Sequence, residues 1–298
     1  MSDTHDKCPL PEYDGYLLPK FPPLVQDTDK RMTAIRDFKS EDTDILICTY
    51  PKTGSNWVYE IISMLVQGHA TYLKAFKTIG MLEVSDLAAL ADMTSPRVLS
   101  THVPFRHLPI QHLAKGCKVV HILRNPKDVT VSAYNQCKSP LVKHICDADE
   151  FPGTWDYFLR DFFENKHNFY DGFIKYEKDW EVAKRTKAVT NVYTMFYEDL
   201  RKNPIAEITR LAKYLEVPSN EELVGDIAEK CSFVKLQNAA ETFKTDGPKT
   251  IVDGKNVLFR KGTVGDWKNW FTVAQNEQFD DYLDRELKGS TLEFKYEI

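Results

Sequence analysis

Apolar residues along this chain fall into two kinds of run. "DILICTY" (44–50), "RVLSTHV" (97–103), "CKVVHILR" (117–124) and "NVYTMFY" (191–197) are short, nearly continuous and rich in β-branched residues, as buried strands are. Other stretches repeat apolar positions at helical spacing: "WVYEIISMLVQG" directly after the first run, then "TWDYFLRDFFENK", "FIKYEKDWEVAKR", "IAEITRLAKYL", "NEELVGDIAEKC" and "TVAQNEQFDDYLDREL". Buried strands alternating with helices predict an α/β fold, a mainly parallel central sheet covered by helices on both faces. Such sheets bind ligands beyond the carboxyl ends of their strands, so the residues that follow each strand are the candidates for chemistry. The first 35 or so residues, Pro-rich with Tyr13, Tyr16 and Phe21, follow neither period and read as an irregular arm.

Composition narrows the class. No Gly, Ser or Pro tract divides the 298 residues, so we expect one domain over 1–298, an arm over 1–35 and an α/β body over 36–298. The 42% hydrophobic and 12% aromatic content suits a packed core, and no apolar run approaches the roughly 20 residues that span a bilayer. The N-terminus has neither a charged n-region nor an apolar h-region, which points to the cytoplasm. Six cysteines without CxxC spacing predict reduced thiols, and no metal site is expected. A net charge of -5 argues against a binder that neutralises many nucleic-acid phosphates, so any phosphate held belongs to a small molecule.

The first strand leads into "CTYPKTGSNWVYE" (48–60). Pro51 stops the strand, Gly54 permits a positive φ, and Ser55 or Asn56 is expected to cap a helix beginning near Trp57. Backbone N–H groups of the helix's first turn, with its dipole, then favour an anion. Lys52 adds a full charge, and a hydrogen bond from a charged group contributes roughly 1.5–3 kcal/mol. Taken alone, the same residues equally suit an ordinary strand-to-helix turn with a surface lysine. A Walker A loop, GxxxxGK[ST], places its lysine after the second glycine, whereas here Lys52 precedes the only glycine, so the loop wraps one terminal phosphate. In "RNPKDVTVSAYN", Arg124 ends the third strand and Ser132 lies two turns into the next helix, both able to reach a second phosphate. "FRKGTVGDWK" adds Arg260 and Lys261 before two glycines; on composition alone it is a solvated loop.

Together these segments resemble the cytosolic sulfotransferase family over nearly the whole chain. "TYPKTGSNW" is similar to the family's 5′-phosphosulfate loop, "RNPKDVTVSAYN" to its 3′-phosphate segment and "FRKGTVGDWKNWFT" to its C-terminal glycine motif, in the same order and separation. The resemblance implies 3′-phosphoadenosine 5′-phosphosulfate as donor, without a metal. It puts Lys52, Thr53, Gly54, Ser55, Asn56 and Trp57 around the 5′-phosphate, with Trp57 stacking on adenine. It gives the 3′-phosphate to Arg124, Ser132, Arg260, Lys261 and Gly262, and the adenine lining to Tyr197, Cys231, Phe233 and Leu236. Without the motifs, Trp57, Phe233 and Leu236 read as core.

In "STHVPF", His102 resembles the family's catalytic base, while Lys52 would stabilise charge on the bridging oxygen. Phe21, Phe105 and Tyr134 are candidates for an apolar acceptor pocket. Members commonly carry lysine two residues before this histidine; here it is Ser100, which removes a positive charge from the transferring group's surroundings. "CSF" also stands where a threonine is frequent before the serine. In "KNWFTVAQNE", Lys268, Thr272, Val273 and Glu277 match the KxxxTVxxxE segment through which the family forms homodimers.

The expected activity is transfer of a sulfuryl group to the hydroxyl or amine of a small acceptor such as a phenol, alcohol or steroid. A small-molecule kinase and a non-catalytic nucleotide-binding regulator stand as alternatives. The acceptor itself, and whether the outcome is a sulfate ester or dehydration through one, do not follow from the motifs.

Overall fold

A computed structural model describes residues 9–75, 77–138, 153–165, 169–242, 251–252, 255–256 and 258–298. Four strands, β1 (Ile45–Thr49), β2 (Val98–Thr101), β3 (Lys118–Leu123) and β4 (Val192–Phe196), pair in the order β2-β1-β3-β4, all parallel. They coincide with the four apolar runs. Each side of the sheet buries its own half of the alternating side chains. Ile45 and Ile47 of β1, with Val120 and Ile122 of β3, lie in one core cluster, whereas Leu46, Cys48 and Val119 lie in another. Two covered faces explain why the strands read as continuous apolar runs rather than as alternation. Each fully buried aliphatic side chain contributes roughly 1.5–3 kcal/mol.

The starts of β1 and β2 are pinned by a buried ion pair, in which Arg97 donates to both oxygens of Asp44 at 2.7 and 2.6 Å. That bidentate fork fixes the parallel register of Ile45 opposite Val98, and so fixes where both strands end.

The described part of the arm departs from the irregular reading. A two-residue ribbon pairs Glu12–Tyr13 with Tyr16–Leu17, a short helix follows over Pro22–Gln26, and α1 spans Thr28–Arg36. Asp27 caps α1 by accepting from Lys30, and Tyr16, Leu18, Leu24, Met32 and Ile35 are buried against the sheet. Prolines hid the helix from a period-based reading: Pro22 and Pro23 occupy its first turn, where a missing N–H costs nothing.

Helix α2 (Ser55–Gln67) follows β1 and ends at Gly68, whose φ of +72° suits a left-handed cap. The remaining named helices are α3 (Pro126–Cys137), α4 (Trp155–Glu164), α5 (Phe173–Arg185), α6 (Tyr197–Lys202), α7 (Pro204–Leu215), α8 (Glu221–Lys230), α9 (Phe233–Ala240) and α10 (Val273–Glu286). α2, α7 and α8 cover one face of the sheet; the arm and α5 cover the other. Cys48, Cys117, Cys137 and Cys231 are free thiols; Cys8 and Cys146 lie outside the described residues. No described helix is long and apolar enough to cross a membrane.

Candidate active site

All four strands end on one side of the sheet, and each delivers a candidate residue there: Lys52 after β1, His102 after β2, Arg124 after β3 and Tyr197 after β4. The loop after β1 is strained. Lys52, a non-glycine residue, has a φ of +75°, and Gly54 follows at +107°. The helix begins at Ser55, two residues before the position the sequence suggests, and neither Ser55 nor Asn56 caps it. Its N-cap is Gly54, which has no side chain to offer, so the first-turn N–H groups keep their capacity for an outside acceptor.

Arg124 is buried, donates to the Lys52 carbonyl at 2.8 Å and lies 4.2 Å from the centre of the Tyr197 ring. Its Nε, with Asn56 Oδ1 and Trp57 Nε1, is a buried polar atom with no hydrogen-bond partner. Arg124 and Trp57 both pack on the Tyr197 ring, so two of these unpartnered donors stand beside the loop after β1. Trp57 meets Tyr197 edge to face at 5.5 Å, and a Cβ at Gly54 would stand 2.8 Å from the same tyrosine ring. Those contacts form an aromatic shelf beside the loop.

The C-terminal segment, which composition alone makes a solvated loop, is tied down. Asp128 of α3 accepts from the backbone N–H groups of Gly265 (2.8 Å) and Trp267 (3.0 Å). Arg260 and Lys261 both donate to Asp266, at 2.6 and 2.5 Å. Burial pushes the Asp266 carboxyl up, but donation from Lys261, Asn269 and Arg260 outweighs it and holds the group down at about 2. Gly262, at φ +62°, lies flat on the Phe233 ring, leaving no room for a Cβ. Ser132 is half-buried on α3. Phe233 and Leu236 share a small apolar cluster with Trp57 and Phe259. Cys231 is the exception: it is buried in the main core with its thiol 3.8 Å from Met64 Sδ, so it packs behind the shelf rather than facing it.

His102 is 7% exposed. Its Nδ1 donates to the Thr49 carbonyl at 2.6 Å, which leaves Nε2 as the bare, accepting nitrogen. Lys77 Nζ lies 3.0 Å from that Nε2. The backbone N–H of His102 donates to Glu83 Oε1 at 2.6 Å, and the Tyr170 ring is centred 5.5 Å away. Burial holds the imidazole well below its ordinary pKa, and the charges of Lys77 and Lys52 push it further down against the opposing bond to Thr49. At neutral pH the ring is a free base. Burial also brings the Lys77 ammonium down to about 8, with Glu83 resisting, while burial raises the Glu83 carboxyl.

Sequence reasoning missed Lys77, Glu83, Asp128 and Asp266. Lys77 and Glu83 come from a segment without a motif, whereas Asp128 and Asp266 lie inside the quoted motifs and their spacing from Arg124 and Gly265 was available. Phe21 and Phe105 pack in the cluster that contains Tyr170, next to His102. Tyr134 is elsewhere, against Trp155, Phe158 and Trp270, with its hydroxyl donating to Gly153 O. A cavity of about 170 Å³ lined by Tyr50, Val129, Ala133, Phe158, Asp161 and Phe173, among others, is not bordered by His102.

A sequence model described as "Sulfotransferase domain" matches residues 42–291. The chain belongs to the sulfotransferase family. It is 35% identical to sulfotransferase 1A1 of Mus musculus over 287 residues, covering 93% of this chain and 95% of that protein, and 34% identical to sulfotransferase 1B1 of Canis lupus familiaris over 288 residues, covering 93% and 94%. Among solved structures it resembles mouse sulfotransferase SULT7A1 complexed with PAP, at 25% identity and a TM-score of 0.73 over 95% of this chain and 96% of that one. A retinol dehydratase in complex with androsterone and inactive cofactor PAP, 18% identical with a TM-score of 0.76 over 95% and 90%, shares the fold. The kinase and regulator alternatives are not favoured: the protein is a sulfotransferase that uses 3′-phosphoadenosine 5′-phosphosulfate. Among the described residues no group of three or more His, Cys, Asp or Glu is arranged to hold a metal ion.

Proposed function

We propose that this sulfotransferase sulfates the hydroxyl of a small apolar acceptor, a phenol, alcohol or steroid, with His102 as general base. The observation that carries the proposal is the setting of His102 at the end of β2: Nδ1 lies 2.6 Å from the Thr49 carbonyl, which makes Nε2 the accepting nitrogen, and burial holds the imidazole well below its ordinary pKa. Lys52, the loop N–H groups of Thr53 and Gly54 and the first-turn N–H groups of Ser55 and Asn56 hold the 5′-phosphate end of the donor, and the orphaned Arg124 Nε, with Ser132, Arg260, Lys261 and Gly262, receives the 3′-phosphate. Trp57, Tyr197, Phe233 and Leu236 line the adenine, with Cys231 packed behind them. When bound, the donor supplies an activated sulfuryl group and a leaving bisphosphate. His102 takes the proton from the acceptor hydroxyl as its oxygen attacks, and Lys52 stabilises the charge left on the bridging oxygen. Phe21 and Phe105 border the acceptor, whereas Tyr134 packs against Trp155, Phe158 and Trp270 in another cluster.

The test is turnover with a phenol, an aliphatic alcohol and a steroid, read by mass spectrometry, for the wild type and His102→Ala. Loss of the base lowers turnover by about two to four orders of magnitude while leaving affinity for adenosine 3′,5′-bisphosphate nearly intact. Near-normal turnover of His102→Ala on the aliphatic alcohol, the acceptor most in need of a base, assigns His102 a structural role. A dehydrated product in place of the sulfate ester would define the outcome with that acceptor.

We further propose a cytoplasmic homodimer built on Lys268, Thr272, Val273 and Glu277. Val273 is 77% exposed at the first position of α10, directly after the Thr272 cap, an unusual place for a bare β-branched residue. Lys268 is bonded to Glu297 at 2.5 Å within the chain, so pairing with a partner's Glu277 exchanges that contact. Two-fold symmetry would bring Val273 against its own copy. Sedimentation of Val273→Glu is expected to show monomer; an unchanged dimer moves the interface elsewhere.

A further inference from the structure

His102 carries a neighbour that the reaction, as described so far, leaves idle. Lys77 stands in a short 3₁₀ turn, Lys77–Gly80, and its side chain is buried. A buried lysine is costly unless its charge is answered. Here the ammonium approaches Met81 Sδ (3.4 Å) and His102 Nε2 (3.0 Å), with the buried carboxylate of Glu83 as its counter-charge. Glu83 in turn accepts from the His102 backbone, and its Oε2 has no hydrogen-bond partner. Lysine, base and carboxylate thus form one closed cluster at the end of β2.

Resting on the reading of His102 as the base, we propose that Lys77 is its positioning residue: by donating to Nε2 it aims the ring, fixes the Nδ1–H tautomer, and keeps the nitrogen that must receive the acceptor's proton free of one. A neutral imidazole has one lone pair, so the ammonium and the acceptor hydroxyl occupy Nε2 in turn. The hydroxyl displaces Nζ on entry, its proton passes to Nε2 as the oxygen–sulfur bond forms and the sulfur–phosphate oxygen bond breaks, and solvent takes that proton once the products leave. A second positive charge beside Nε2 opposes premature protonation of the ring, which would disable it.

Other charged and titratable groups also face the cluster. Lys52 is a second cation; Arg31 and Tyr16 of the arm face Glu83, as do Cys48 of β1 and Tyr176 of α5, and burial raises all three of those acidic groups. Tyr170 contributes its ring face. Lys77 is therefore the neighbour whose removal should be felt at His102.

The experiment is an NMR titration of the His102 ring, with ¹³C-labelled histidine, in the wild type, Lys77→Met and Lys77→Arg. The His102 midpoint should rise in Lys77→Met, and the acid limb of kcat/KM should move to higher pH with it, because a like charge has been removed; Lys77→Arg, which keeps the charge, should restore the wild-type midpoint. An unmoved midpoint in Lys77→Met overturns the proposal, as does a Lys77→Arg midpoint that follows Lys77→Met. Should Lys77→Met fail to fold, the wild type decides alone: its His102 signals must shift a second time as Lys77 loses its proton at about pH 8, and their constancy there overturns the proposal. These ring titrations do not depend on turnover, so a structural His102, revealed by His102→Ala, remains distinguishable from an uncoupled Lys77.

Discussion

Beyond the end of β1 the protein leaves polar groups open; beyond the end of β2 it closes them. On the phosphate side the helix start has no side-chain cap, and Asn56 Oδ1, Trp57 Nε1 and Arg124 Nε are buried without partners. On the base side both ring nitrogens of His102 are engaged, one by Thr49 and one by Lys77, and its backbone N–H by Glu83. An unpartnered buried group costs about 1–3 kcal/mol, so the open half carries an energetic debt that a bound nucleotide relieves. On the base side the one such atom in the Lys77–Glu83–His102 cluster is Glu83 Oε2, and the imidazole itself is fully engaged. The difference teaches what the proposed mechanism requires: a donor cradle formed in advance on one side, and on the other a histidine whose accepting nitrogen is already occupied by Lys77.

The contrast breaks most readily at the backbone of the open half. Gly262 lies on the Phe233 ring at a φ of +62°, so Gly262→Ala must displace the ring or the loop that carries Arg260 and Lys261. Losing one hydrogen bond from a charged group to a phosphate costs about 1.5–3 kcal/mol, on the order of 10- to 100-fold in affinity. We expect the affinity for adenosine 3′,5′-bisphosphate, measured by calorimetry, to fall by about that factor, with the His102 midpoint unchanged. Unaltered affinity would mean that the loop takes no part in the cradle. A midpoint that moves together with affinity would mean that the two halves are one coupled unit.

The same contrast separates what was legible in the sequence from what was not. β1 to β4 are readable because a strand buried on both faces is apolar throughout, and the proposed phosphate side draws on local sequence: Lys52 to Trp57 are consecutive, Arg124 and Ser132 lie within the one segment that opens α3, and Arg260 to Gly262 are adjacent. The end of β2 is not local. Lys77 and Glu83 meet His102 across 25 and 19 residues of sequence, through a turn that has no periodicity and no motif, and their contacts appear only once the chain is folded. The start of α2 departs from the sequence rule for a related reason. The sequence rule places a polar side chain at the N-cap of α2, but here Gly54 occupies it, and an uncapped end suits a helix whose partner is a ligand. Pro22 and Pro23 concealed a helix that begins on them, and Asp27, which caps α1, lies inside a stretch whose period was too short to read.

The finest division runs within the closed half, between Ser100 and Lys77. Position 100 is where the resemblance leads one to expect a cation; the structure supplies the ammonium from position 77 and leaves a serine on β2. Ser100 Oγ donates to the Lys77 carbonyl at 3.4 Å, a long contact near the limit of a hydrogen bond. Its net worth is at most about 0.5–1 kcal/mol, which corresponds to no more than about fivefold in rate even if all of it served the transition state. Ser100→Ala should therefore change kcat by less than about fivefold and leave the His102 midpoint where it is, because the charge beside Nε2 has not moved. Steady-state kinetics and the ring titration of this variant check both statements. A kcat that falls by much more than fivefold, or a His102 midpoint that climbs as in Lys77→Met, would show that β2 itself, through Ser100, organises the base and that the ammonium at 77 is held only as its consequence.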